Sequence, residues 1–267
     1  MMLGAIRSEF RKYFTTRMWW GMAIAVFVVS AAFAGLFGFL MTMDQAGVPP
    51  EQQMAGSPEQ VANSVYTAGL SVAYLLTLAI GVMQIGSEYR HKTITSTFLG
   101  VPKRATVMGA KIISLLVIGA MYGVISLLGS VGVGAAVLSA RGAEVFPAAG
   151  VARTLALSLL VLGLWALIGL GAGILIPNQV AALLIAIGVA WIVEPLAGFA
   201  LTFWDWGQDV AQYLPSAATQ AMVSGVTGGP NGGGAQLEWW GGALVLVGYA
   251  ALLAGIGSWR TVRADIS

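Results

Sequence analysis

Charge is confined to short islands separated by long uncharged runs, and that segregation constrains the chain more than any other feature. The uncharged runs cover residues 18–43, 60–87, 112–140, 154–193 and 239–259. An α-helix rises about 1.5 Å per residue, so about 20 apolar residues cross the hydrocarbon of a bilayer. Every run is long enough. The fourth suffices for two crossings, and Pro177-Asn178-Gln179 near its middle supplies a helix breaker and two polar side chains for a turn. Only 9% of the 267 residues are charged and 58% are hydrophobic, against roughly 25% charged in a soluble domain. The expected fold is an all-α polytopic membrane protein, one transmembrane domain over 1–267, with six spans near 19–42, 62–87, 112–138, 154–176, 180–203 and 239–259.

Basic residues set the orientation, because they are retained on the cytoplasmic side. With both termini inside, the inner segments hold 11 of the 13 Lys and Arg residues, and the outer ones hold only Arg141 and Arg153. An even number of spans agrees with basic segments at both ends. Ala32-Phe33-Ala34 resembles a small-residue cleavage site, but the apolar run continues past it to Met43 and exceeds a signal core. The first span is therefore expected to be retained.

Several chemistries are excluded. There is no cysteine, hence no disulfide or thiolate nucleophile, and His91 is the single histidine; no metal site and no catalytic residue are expected. No G-x-x-x-x-G-K-[S/T] phosphate loop occurs, nor an H-E-x-x-H or G-x-S-x-G motif. ATP is not expected to bind this chain.

Residues 1–18 place Leu3, Ile6, Phe10, Tyr13 and Phe14 at steps of three or four, with Arg7, Arg11, Lys12 and Arg17 among the rest. That pattern predicts an amphipathic helix along the inner headgroup layer, its bases at the membrane surface. Trp19, Trp20, Trp239 and Trp240 stand at span ends as interfacial anchors. Gly119 with Gly123, Gly169 with Gly173 and Ala31 with Gly35 are spaced for close helix packing. The outer loop 204–238 contains a glycine-rich connector at 228–234 and, before it, residues 210–223, too short to span. That stretch is either a plain outer loop or one or two interfacial or re-entrant helices broken near Pro215.

The inner loop 88–111, EYRHKTITSTFLGVPKRATVMGAK, is the most informative stretch. Glu88 and Lys92 are spaced i, i+4 for a helical ion pair. Ile94, Phe98 and Val101 form an apolar stripe, closed by Gly100 and Pro102. Lys103, Arg104 and Lys111 lead into the third span. A short helix with apolar knobs and a basic rim suits docking in another protein's groove; bases that serve only topology and anionic lipid are the alternative.

Glu88, Arg90, Thr93, Pro102, Arg104 and Lys111 carry a resemblance to the permease subunits of type 2 ABC exporters. They match that family's loop order of an acid, a base, a threonine, then Pro, Arg and Lys, and the six spans, basic start and long last outer loop extend the likeness over the chain. Tyr213-Leu214-Pro215 also looks like actinobacterial permeases. The family often has glycine just before the threonine, where this chain has Lys92. The resemblance implies that 88–111 holds a coupling helix, that the turn at 177–179 is a second cytosolic contact, and that a separate ATP-binding cassette subunit supplies ATP and Mg chemistry. It also implies a dimer with a second permease copy or paralogue, and an exported substrate of unknown class. No nucleic acid is implied. Arg-rich usage over Lys, with abundant Ala and Gly, suggests a GC-rich bacterium, and the expected location is its plasma membrane.

Glu194 is the one ionisable residue deep in an expected span, about 21 Å along from Val180 at about 1.5 Å per residue. Such a carboxyl must face the bundle interior, a partner or water. It is a pathway or gate candidate, with Tyr66, Tyr74, Gln84, Tyr122 and Trp165 as further polar or aromatic candidates. The competing classes are an ion-coupled secondary transporter, which would need more buried protonatable groups, and a scaffold or immunity protein without a transport cycle.

Overall fold

The computed structural model describes residues 2–43, 57–93, 104–204, 206–224 and 237–263, and among them every regular element is helical. In chain order these are α1 (Met2–Phe14), α2 (Met18–Met41), α3 (Pro58–Thr67), α4 (Leu70–Arg90), α5 (Arg104–Ala140), α6 (Ala149–Leu175), α7 (Gln179–Gly188), a π turn (Val189–Val193), α8 (Glu194–Leu201), α9 (Gly207–Ala211), α10 (Pro215–Ser224) and α11 (Trp239–Arg263). Among the described residues, six stretches are long and apolar enough to cross a membrane: Met18–Met41, Pro58–Arg90, Ala105–Ala140, Ala149–Leu175, Gln179–Leu201 and Trp239–Gly257. The expected knobs Ile94, Phe98 and Val101, with Pro102 and the glycine-rich 228–234, lie outside the described residues.

Local chemistry places the breaks. Ser57 caps α3 in a reciprocal capping box with Gln60, and Pro58 fills the first turn, where its missing N–H costs nothing. Asn178 Oδ1 accepts from the backbone N–H groups of Val180 and Ala181, so the expected turn at 177–179 ends α6 and caps α7 in one step. In the fifth span Pro195 has no N–H and its ring would press on the carbonyl four residues back. The π turn Val189–Val193 lies directly before it and absorbs the mismatch.

Spans two and four form the centre: 72% and 67% of their most apolar windows are buried, against 22% and 17% for spans one and five. Two of the three expected small-residue pairs are where backbones meet, while Gly35 of the third meets the Val133 side chain. A Cβ on Gly119 would stand 2.5 Å from the Gly163 Cα, and one on Gly123 2.6 Å from Leu159. Gly169 and Gly173 bring span four against the carbonyls of Leu78 and Val82 in span two. Around this centre pack Tyr74, Leu78, Ile85, Leu115, Ile118, Tyr122, Leu162, Trp165 and Leu170. A smaller cluster of Ala34, Ala62, Val65, Tyr66, Leu138 and Val151 closes one end.

The outer surface of the fifth span exposes Leu184, Trp191, Ile192, Leu196 and Phe199, a continuous apolar face. Helix α1, the end of α4 and the start of α5 meet at one end of the bundle. The turn at 177–179 joins them there, with Gly86 against Gln179. The 141–144 turn and the start of α11 lie at the other end, where Arg153 stacks over Trp239 and Tyr66 donates to the Val145 carbonyl.

Candidate functional site

At the basic end, four charges from three elements meet inside the protein. Glu9 comes from α1, Glu88 from the last turn of α4 and Lys111 from the second turn of α5; Lys12 joins from α1. Lys111 Nζ donates to Glu9 Oε2 and to Glu88 Oε1, both at 2.7 Å, and Lys12 Nζ donates to Glu9 Oε1 and Glu88 Oε1, both at 2.8 Å. The Lys111 side chain is 0% exposed. A lysine there is tolerable only because two carboxylates compensate it, and the square of charges is neutral. Gln84, one turn before Glu88, reaches Glu9 Oε2 at 3.4 Å.

Burial by itself would raise the Glu9 carboxyl, but Lys111 and Lys12 outweigh it and hold the group below its ordinary value of 4.5. Burial would lower Lys12, but Glu88 and Glu9 outweigh that and raise it above 10.5. Both groups are therefore charged across the physiological range.

A second tie fastens α1 four residues on. The Tyr122 hydroxyl donates to the Trp19 carbonyl at 2.7 Å, so Tyr13 is the donor in the 2.5 Å contact between the two hydroxyls. Burial and this bond push the Tyr13 phenol well above the usual range. Beside the ion square lies a cavity of about 320 Å³ lined by Glu9, Lys12, Gln84, Glu88, His91 and Gln179 among others. Among the described residues, Glu88 Oε2 and Gln84 Oε1 have no hydrogen-bond partner and are buried.

The expected Glu88 to Lys92 pair does not form. Helix α4 stops at Arg90, and Glu88 turns inward to Lys12 and Lys111. Lys92 instead occupies the left-handed position after the helix, with φ 54°. Lys92 N–H donates to the Tyr89 carbonyl at 3.2 Å and Thr93 N–H to the Glu88 carbonyl at 3.0 Å, the paired bonds of a Schellman cap. This left-handed position is one that glycine occupies without steric cost. Arg90, Lys92 and Thr93 are exposed beside it.

Helix α1 also differs from the expected simple amphipath. Its buried residues are Glu9 and Tyr13, while Leu3 is 82% exposed. Arg7, Arg11 and Arg17 face outward, but Lys12, expected with them at the membrane surface, is drawn into the ion square.

The pathway candidates are not gathered in one place. Gln84 and Tyr122 serve the α1 attachment, and Tyr66 packs near Phe146 at the other end. Tyr74 stacks on Trp165 at 4.1 Å between ring centroids, and Trp165 Nε1 donates to Thr219 Oγ1 at 2.9 Å. Glu194 is buried and accepts the Ser216 N–H. Sequence reasoning missed Glu9, Ser216 and Thr219. The signal for Glu9 was an acid within a run of bases, sharing one helical face with Lys12 and Tyr13 at i, i+3 and i+4.

No curated protein matches this chain. The family described as ABC-2 family transporter protein matches residues 5–203, a stretch that begins in α1, contains both ends of the 88–111 loop and the ion square, and runs to the end of the fifth span. The chain belongs to that family, and is an ABC transporter permease, a multi-pass transmembrane transport subunit.

Proposed function

We propose that this chain is the membrane half of an ATP-driven exporter in a bacterial plasma membrane. It works as a dimer with a second permease and takes its energy from a separate ATP-binding cassette subunit that carries ATP and Mg. The basic end faces the cytoplasm by retention of positive charge, α1 lies along the inner headgroups, and the 88–111 loop meets the ATPase. There Glu88, Arg90, Lys92, Thr93, Ile94, Phe98, Val101, Pro102, Arg104 and Lys111 form the contact or its supports.

The observation that carries this reading is the ion square at the roots of that loop. Glu88 precedes the loop and Lys111 follows it, and the two are paired to one another and to α1. A push on the loop therefore reaches spans two and three and, through α1, span one together. Packed elements with discrete arrangements carry such motion better than a flexible tether.

A secondary transporter would rest mainly on Glu194 as an ion site, but that carboxylate is engaged by the Ser216 N–H. The test is purification of the tagged chain from its native membrane under mild detergent. An ATPase should come with it, and hydrolysis should depend on both chains. Substrate movement by the isolated chain under an ion gradient, with no ATPase bound, would replace this reading.

A further inference from the structure

Gln84 and Glu88 stand one turn apart on a single face of α4, a spacing that brings side chains within about 5 to 6 Å of one another. Each keeps one buried oxygen that meets no donor among the described residues, Gln84 Oε1 and Glu88 Oε2. The ion square is the cause. Lys12 and Lys111 both donate to Glu88 Oε1, while Gln84 Nε2 is drawn to Glu9 Oε2 and turns the amide oxygen the other way. Glu88 is 5% exposed and Gln84 8%, so bulk water does not solvate the two acceptors, and a buried acceptor without a donor is costly.

Both residues line the cavity of about 320 Å³ beside the square. A water molecule takes about 30 Å³ of liquid, so the space admits a molecular group rather than a single bridging water, and it lies at the lower end of ligand sites, about 300 to 1,000 Å³. Its walls come from the starts of spans one and five, at Met18 and Gln179, and from span two at Met83. The cavity therefore sits at the level where spans leave the hydrocarbon, with the exposed His91 and Thr93 at its mouth.

The acceptors define the occupant. It must donate hydrogen bonds and tolerate a carboxylate, which excludes a phosphate or a second carboxylate at the cavity floor. A divalent cation needs about six oxygen ligands, and among the described residues no group of three Asp, Glu or His is placed to hold one. A trimethylated ammonium has the charge but no N–H. A primary ammonium has the charge and three donors. The two lysines and two glutamates of the square already balance, so an added cation is best accompanied by an anion nearer the mouth. There the Lys12 side chain is 39% exposed, and Arg90 and Lys92 are exposed beside it.

Resting on the permease reading only for the side of the membrane, we infer that this cavity binds a primary ammonium group, which donates to Glu88 Oε2 and Gln84 Oε1 and so braces α1 against span two. Its source is the headgroup of an inner-leaflet ethanolamine phospholipid, whose phosphate would stand at the basic mouth, or a free amine of the same chemistry.

The test is hydrogen exchange of the α1 amides in the full chain, reconstituted in nanodiscs of phosphatidylcholine alone or with one fifth phosphatidylethanolamine or phosphatidylglycerol. The ethanolamine lipid should slow exchange about tenfold, as linkage gives for a ligand about nine times above its Kd, and the glycerol lipid should not. Ethanolamine added to phosphatidylcholine discs distinguishes the sources: equal slowing identifies a free amine as sufficient, and no slowing identifies the lipid headgroup. Gln84→Met keeps the length of the side chain without its acceptor, and Ser87→Leu fills the cavity from the next turn of α4; each should abolish the slowing. Equal exchange in all three lipids, slowing by phosphatidylglycerol instead, or slowing that survives in both variants would overturn the site. If one variant fails to insert, the other decides. No ATPase enters this experiment, so its failure would leave the permease reading intact, and failure to recover an ATPase would leave this result standing.

Discussion

Lys111 Nζ lies 2.7 Å from Glu9 Oε2, though the two residues are 102 apart in the chain, and the lysine is sealed from solvent. Through this contact a helix that precedes the first span is fastened to the root of the third. The same ammonium reaches Glu88, so both ends of the 88–111 loop are held against α1. The arrangement costs desolvation and returns a fixed geometry, which matters if force enters at that loop.

Lys111→Met removes a buried cation and leaves two buried carboxylates sharing Lys12. A loss of about 3 to 5 kcal/mol is expected, read as a lowered unfolding temperature of the purified permease. Combining it with Glu9→Gln should recover part of the loss, since one uncompensated charge is removed. An additive or worse double variant would show that the pair is not the source of the effect.

The charge states give the attachment of α1 a defined pH window. Glu9 is held below 4.5, so its contribution is complete above that value and is lost as pH falls through its depressed folded value. Lys12 is raised above 10.5, so its contribution is complete below that value and is lost as pH rises through its raised folded value. Hydrogen exchange of α1 amides, corrected for intrinsic rates, should show constant protection between the two limits and loss of protection outside both. A transition near neutral pH would contradict the assignment.

Lys92→Gly places the residue without a Cβ at the left-handed end of α4. A left-handed conformation costs an L-residue about 1 to 2 kcal/mol, offset in part by the greater freedom of glycine in the unfolded chain. A net gain of up to about 1 kcal/mol is expected, measured as a raised melting temperature. A loss would mean that the Lys92 side chain supplies contacts that outweigh the backbone strain.

Phe98→Asp tests the apolar stripe of the proposed coupling helix. The chain should still insert and melt normally, because residue 98 falls between the second and third spans in the sequence, while recovery of the ATPase or its substrate-stimulated hydrolysis should be lost. Retention of both at wild-type levels would remove Phe98 from the coupling surface.

The segregation of charge, the breaker at Pro177 and the small-residue pairs around Gly119 and Gly169 were sufficient to count six spans and to identify packing surfaces. Each depends on local composition or short-range spacing, which a sequence displays directly. What Glu9, Lys12, Tyr13 and Ser216 touch was not legible, since each meets a partner on a distant element and pairing depends on how helices pack. Lys92 shows the difference most clearly: its spacing from Glu88 suited an ion pair, but the tertiary pull of Lys12 and Lys111 turned Glu88 inward, and α4 ended in a Schellman cap two residues later. Glu194 was visible as an anomaly from its position alone; only the packing of α10 supplied the N–H that gives a buried carboxylate a reason to be there.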